Sequence, residues 1–124
     1  MKNKLYAVGI GPGDYSHMTL EAVRVLEHCD VIVGYTVYVD LVREHFPGKE
    51  FLTTPMRREE ERCRLAFEEA ERGKAVAMIC SGDAGVYGMA GLLLELGSAY
   101  PGTAADVIPG STGARSGAAL RWAP

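Results

Sequence analysis

Histidine and cysteine are scarce in this chain of 124 residues, with three of each, and their spacing removes several chemistries at once. Cys29, Cys63 and Cys80 lie far apart and form no CxxC pair, so they read as reduced, mostly buried thiols of a cytoplasmic protein. His17 and His28 have no histidine, cysteine or carboxylate partner at ligand spacing, which puts them on the surface or at helix ends rather than on a metal. An excess of positive charge is lacking too. The net charge of −3 gives no footprint for nucleic acid. No apolar stretch approaches the length of a membrane span, and Met1-Lys2-Asn3-Lys4 is followed by only a short apolar run before Gly9, unlike a secretory leader. Two nucleotide-binding fingerprints are missing. In Gly9-Ile10-Gly11-Pro12-Gly13-Asp14 an aspartate stands where GxGxxG needs its last glycine, and no loop closes on Gly-Lys-Ser/Thr. Pro12 fixes φ and removes a donor, so this loop shapes a wall more than it grips an anion. A nucleotide-binding oxidoreductase domain is thereby disfavoured.

What is present is one domain of globular composition, 48% hydrophobic and 23% charged, long enough to bury a core. Its organising stretch is Val76 to Gly91. Val76, Ala77, Met78, Ile79 and Cys80 carry neither charge nor alternation, as a central parallel strand covered by helices on both faces would. The run stops at Ser81-Gly82-Asp83, and open α/β sheets bind ligands outside such strand ends. Gly82, Gly85, Gly88 and Gly91 recur every third residue, which suits close backbone approach to a ligand or, equally, tight packing of helix on sheet.

Around that stretch, strands and helices alternate. Lys4 to Ile10 reads as the first strand, and Thr19 to His28 as a helix capped by Ser16 or Thr19, with Leu20, Val23 and Leu26 on its inner face. Asp30 to Tyr35 is the second strand, Val37 to Phe46 a helix stopped by Pro47-Gly48, and Phe51 to Thr53 a weak third strand. Glu59 to Arg72 is the clearest helix: Cys63, Ala66, Phe67 and Ala70 keep its inward spacing and Gly73 supplies its C-terminal cap. Met89 to Tyr100 reads as the next helix, Ala105 to Pro109 as the fifth strand, and an alanine-rich helix follows Gly110-Ser111-Thr112-Gly113-Ala114. The pattern predicts an α/β fold with a parallel sheet and right-handed crossovers. Glycine-rich loops follow only strands one, four and five, so a site built from them requires strand four to be inserted beside strand one.

Four blocks, YAVGIGPGD, CDVIVGY, SGDAGVYGMAG and VIPGSTGA, occur in an order and spacing that resemble the tetrapyrrole methylases over essentially the whole chain. Within that family, Gly34-Tyr35 with Tyr38, Met56 with Glu59 and Arg62-Cys63, and Tyr87 to Gly91 look most like the precorrin-3B C17-methyltransferase group. The resemblance implies an S-adenosylmethionine-dependent methyltransferase of cobalamin biosynthesis that methylates C17 and contracts the macrocycle. It implies a fold whose first domain is a five-stranded parallel sheet in the order 3-2-4-1-5, flanked by helices, with the cofactor held between two domains. Residues 1–124 would be that N-terminal domain without the second one, which is expected to fold, to be inactive alone, and to form a homodimer. Carried over position by position, cofactor contacts fall on Pro12, Ser81, Gly82, Asp83, Val86, Thr112 and Gly113, and substrate contacts on Gly11, Gly13, Tyr35, Arg57 and Arg58. Two positions depart from relatives. Tyr35 stands where uroporphyrinogen methylases carry an aspartate, so no acid or base transfers, and Ala84 stands where many relatives have proline.

Methyl transfer from a sulfonium needs neither metal nor enzyme nucleophile, only alignment and exclusion of water, so small residues and backbone can suffice. Asp83 has a structural alternative as helix cap or turn former, and Tyr35 and Tyr87 have one as core tyrosines. Arg57-Arg58 could hold substrate carboxylates or form a solvated pair beside Glu59-Glu60-Glu61. A binding module for S-adenosylmethionine or a tetrapyrrole, without turnover, is the competing function. Neither nucleic acid nor membrane is an expected partner.

Overall fold

The computed structural model describes residues 3–10 and 18–109, and of Asp83 and Ala84 the backbone alone. The expected contacts at Gly11, Pro12, Gly13, Thr112 and Gly113, the candidate cap Ser16, His17 and the alanine-rich helix therefore lie outside the described residues. Five strands, β1 (Asn3–Gly9), β2 (Val31–Tyr35), β3 (Glu50–Thr54), β4 (Val76–Cys80) and β5 (Thr103–Ile108), form one parallel sheet. Their order is β3-β2-β4-β1-β5, as expected. The helices are α1 (Leu20–His28), α2 (Thr36–Val42), α3 (Glu59–Glu71) and α4 (Asp83–Leu96).

Strand β4 explains its own lack of alternation. All five of its residues are buried, with Val76, Met78 and Cys80 packed in the cluster that holds α3 and α4, and Ala77 and Ile79 in the cluster that holds α1 and α2. From β1 to β3 the chain steps one way across the sheet with α1 and α2 on one face. From β3 to β5 it steps back with α3 and α4 on the other, which is what right-handed crossovers demand. The reversal leaves β1 and β4 side by side, with Gly9 opposite Cys80 and the Ile10 amide donating to the Cys80 carbonyl at 2.9 Å.

Local chemistry sets the helix ends. Thr19 caps α1, its hydroxyl accepting from the Ala22 amide at 3.1 Å. Gly73, at φ +91°, takes the left-handed conformation just past α3. Gly34 is required by close approach, because a Cβ there would lie 2.6 Å from Ile79 Cγ1.

Three expectations need correction. Leu20 is 64% exposed: the inward positions of α1 are Ala22 and Leu26, and two residues from Ala22 is more than half a turn away. The second helix is short, ending at Val42 and tightening into a 3-10 turn over Arg43–His45. Helix α4 begins at Asp83, not Met89, so Gly82 is its N-cap and Gly85, Gly88 and Gly91 lie inside the helix, not in a loop. Each of the three interior glycines costs ~1 kcal/mol of helix propensity relative to alanine. Burial of Val86, Ala90 and Leu93 against the sheet offsets that cost.

Candidate functional site

Because β4, β1 and β5 are neighbours, the chain leaves the sheet at three adjacent points, after Cys80, Gly9 and Ile108. The Thr19 hydroxyl donates to the Pro109 carbonyl at 3.4 Å and so fastens the start of α1 to the end of β5. Beside these exits, on the β2 side of β4, lies a cavity of about 360 Å³. Ile79, Cys80 and Ser81 line it from β4, Gly85, Gly88, Met89 and Leu92 from α4, Tyr35 and Tyr38 from the β2–α2 junction, and Met56, Arg57, Glu59 and Arg62 from the approach to α3.

The glycines of α4 can now be weighed. A Cβ at Gly82, Gly88 or Gly91 would meet no described atom within 4 Å, and one at Gly85 would come within 3.3 Å of Ser81 Oγ. Packing of helix on sheet therefore demands no glycine at 82, 88 or 91 among the described residues. What Gly85 and Gly88 do is keep the α4 wall low, leaving the cavity its width. Tyr35 and Tyr38 meet edge to face, centroids 5.3 Å apart, and form the aromatic wall.

Of the other sequence-predicted residues, Ser81 lines the cavity and Gly82 occupies the N-cap of α4, its carbonyl accepting from the Val86 amide at 2.8 Å. Asp83 opens the helix one residue after that cap. Val86 itself is fully buried in the α3/α4 cluster, and Tyr87 packs against the same cluster instead of lining the cavity. The arginine pair divides. Arg57 lines the cavity from a left-handed backbone, φ +66°, whereas Arg58 is exposed and turned to Glu61 at 3.5 Å.

Sequence reasoning did not place Arg62 in the site. It is 6% exposed, donates from Nε to Thr54 Oγ1 at 2.7 Å and from Nη2 to the Pro55 carbonyl at 3.2 Å, and still lines the cavity. The signal was present, since the inward stripe of α3 through Ala66 and Ala70 reaches Arg62 when extended back one turn. Cys80, also in the lining, is no nucleophile: burial pushes its thiol up to about 12, and Cys63 and Cys29 are raised likewise.

A doubly covered parallel sheet with a cavity at its carboxyl edge defines an α/β small-molecule-binding domain. Residues 4–121 match the family of tetrapyrrole (corrin/porphyrin) methylases, and the chain belongs to it. It is 46% identical over 121 residues to a probable cobalt-factor III C(17)-methyltransferase of Salmonella typhimurium, an alignment covering 97% of this chain and 50% of that protein. It is 43% identical to a cobalt-factor III methyltransferase of Priestia megaterium, covering all of this chain and 24% of that protein. Among solved structures, the methyltransferase CobJ superposes with a TM-score of 0.74 at 34% identity, over 89% of this chain and 47% of that one. A uroporphyrin-III C-methyltransferase from Thermus thermophilus complexed with S-adenosylhomocysteine gives 0.64 at 28% identity, over 92% and 48%. The chain thus spans half or less of the length of these relatives.

Proposed function

We propose that residues 1–124 form the N-terminal domain of an S-adenosylmethionine-dependent methyltransferase that methylates C17 of a corrinoid precursor, precorrin-3B or its cobalt-containing counterpart, in cytoplasmic cobalamin biosynthesis. The observation that carries this reading is the adjacency of the β4, β1 and β5 exits beside a cavity with an aromatic wall and arginines at its rim. The similarity to cobalt-factor III methyltransferases over nearly the whole chain supports the choice of substrate.

In this reading the cofactor contacts are Ser81, Gly82 and Asp83, with Pro12, Thr112 and Gly113 from the neighbouring loops, and Gly11, Gly13, Tyr35 and Arg57 attend the substrate, whereas Val86, buried in the core, and Arg58, turned to Glu61, are left out of it. Among the described residues nothing beyond Gly82's own neighbours in the chain stands within 4 Å of a Cβ position there, which suits a ligand beside the strand end. The cofactor brings a sulfonium-bound methyl group, electrophilic without metal assistance. The chain's part is to orient and to exclude water: Ser81 and the Gly82 backbone bind at the strand end, and Ile79, Met89 and Leu92 keep the cavity apolar. In the proposed full-length homodimer a second domain provides the facing wall, so residues 1–124 alone bind the cofactor weakly and do not turn over.

The test is calorimetry of the full-length protein with S-adenosylhomocysteine, wild type against Gly82→Val. Gly82 has φ −176°, a backbone any residue adopts, so the variant folds. We expect unchanged melting and affinity reduced at least ~100-fold, the loss of more than one good contact. Unchanged affinity would remove the strand-end site.

A further inference from the structure

Every other buried charged side chain among the described residues has an opposite charge in reach. Glu69 is met by Arg72 at 2.6 Å and Lys74 at 2.9 Å, and Asp106 by Lys4 at 3.9 Å. Arg62 is buried as deeply, yet none of the ion pairs among the described residues includes it. Glu59 shares the cavity lining but makes no ion pair with it. Two of the five guanidinium N–H groups are taken, by Thr54 and Pro55, both neutral acceptors. A buried cation without a counter-charge is costly, and a guanidinium with a free fork edge in a cavity matches a carboxylate.

We propose that Arg62 binds a peripheral carboxylate of the tetrapyrrole substrate, Thr54 and Pro55 holding its fork toward the cavity and Arg57 contributing from the rim. The inference rests on the methyltransferase reading above and deepens it: it makes the polyanionic character of the substrate, rather than its ring alone, a determinant of binding. It also explains why the turn before α3 is built tightly. Thr54 is buried, and the same turn holds Arg57 in its left-handed conformation at the cavity.

Fluorescence titration of the full-length protein with uroporphyrin III, a polycarboxylate tetrapyrrole, tests this in wild type, Arg62→Gln, Arg62→Lys and Thr54→Val, alongside S-adenosylhomocysteine calorimetry and urea unfolding of each. Loss of a charge-assisted contact should raise the uroporphyrin Kd about tenfold or more in Arg62→Gln and by less in Arg62→Lys. Thr54→Val, which frees the fork from one of its two holders but keeps the charge, should weaken uroporphyrin binding by less than Arg62→Gln does, and S-adenosylhomocysteine affinity should not move. An unchanged Kd in Arg62→Gln overturns the proposal, as does equal weakening by Thr54→Val, which would make Arg62 a strut for the turn. If Arg62→Gln does not fold, Arg62→Lys decides: weakening by about threefold or more supports carboxylate binding, and no change overturns it. Wild type that takes S-adenosylhomocysteine but not uroporphyrin sinks this inference and spares the methyl-donor reading. Wild type that takes neither removes both.

Discussion

Helix α3 carries a buried charge near each end, and the two ends of the sheet treat them oppositely. At the amino-terminal edge of the strands, Glu69 is paired with Arg72 and Lys74, Lys74 also reaches Glu50 at 3.0 Å, and the Thr103 hydroxyl donates to Glu71 at 2.6 Å. The Asp30 carboxylate there accepts from the Ala75 amide at 3.0 Å. At the carboxyl-terminal edge, Arg62 has neutral partners only among the described residues and lines the cavity. Polar groups that satisfy one another stabilise the fold and have nothing left to offer a ligand. Polar groups held in place with donors to spare cost stability and can bind. The amino edge therefore closes the domain, and the carboxyl edge is where the proposed site lies.

The comparison breaks most visibly if the closed edge proves dispensable. Phe67, 1% exposed, stacks on Tyr100 with centroids 4.6 Å apart near the amino edge, and Phe67→Ala should cost ~3–5 kcal/mol in urea unfolding. The S-adenosylhomocysteine affinity of the protein that remains folded should be unchanged. A loss below ~1 kcal/mol would mean that this edge is not the mainstay of the fold.

Next in size is a pH effect shared by both edges. Burial raises Cys29, near the amino edge, and Cys80, at the cavity, along with Cys63, from 9.0 to about 12. Unfolded thiols ionise first, so their contribution to stability is complete below about pH 9 and is lost as pH rises toward 12. Between pH 8 and pH 10 the unfolding free energy read from urea denaturation should fall by ~1 kcal/mol per thiol. The smallest effect is Glu69→Gln, expected to cost ~1–2 kcal/mol because its cationic partners are largely exposed. A stability unchanged by it would show that the pairs at the closed edge are incidental.

Much of the frame was legible beforehand because each part of it is announced by a period or a residue type. The uncharged run Val76 to Cys80, the inward stripe of α3 and the stop at Gly73 all took their expected places. The distribution of glycine-rich loops asked for strand four beside strand one, and the pairing of Gly9 with Cys80 meets that demand. The start of α4 was misread because glycine propensity is a local quantity, and burial of Val86, Ala90 and Leu93 overrides it. Leu20 was misplaced because a short helix can be rotated by one residue and still show an apolar stripe.

The site divides in the same way. The strand ends were legible from residue type, and Ser81, Tyr35 and Arg57, named through the family resemblance, do line the cavity. Arg62 was passed over although the inward stripe of α3 reaches it, since a charged residue in a helix beginning Glu-Glu-Glu looks like solvated surface until the helix is laid on the sheet. The separation of Arg57 from Arg58 was not legible, since it turns on a single left-handed residue. By itself the sequence determined the alternation of strands and helices, the glycine-rich exits and the family, all of which depend on neighbours in the chain. Only the tertiary structure decided which charges are buried and which of those are left unpaired, because desolvation and ion pairing depend on what lies across space.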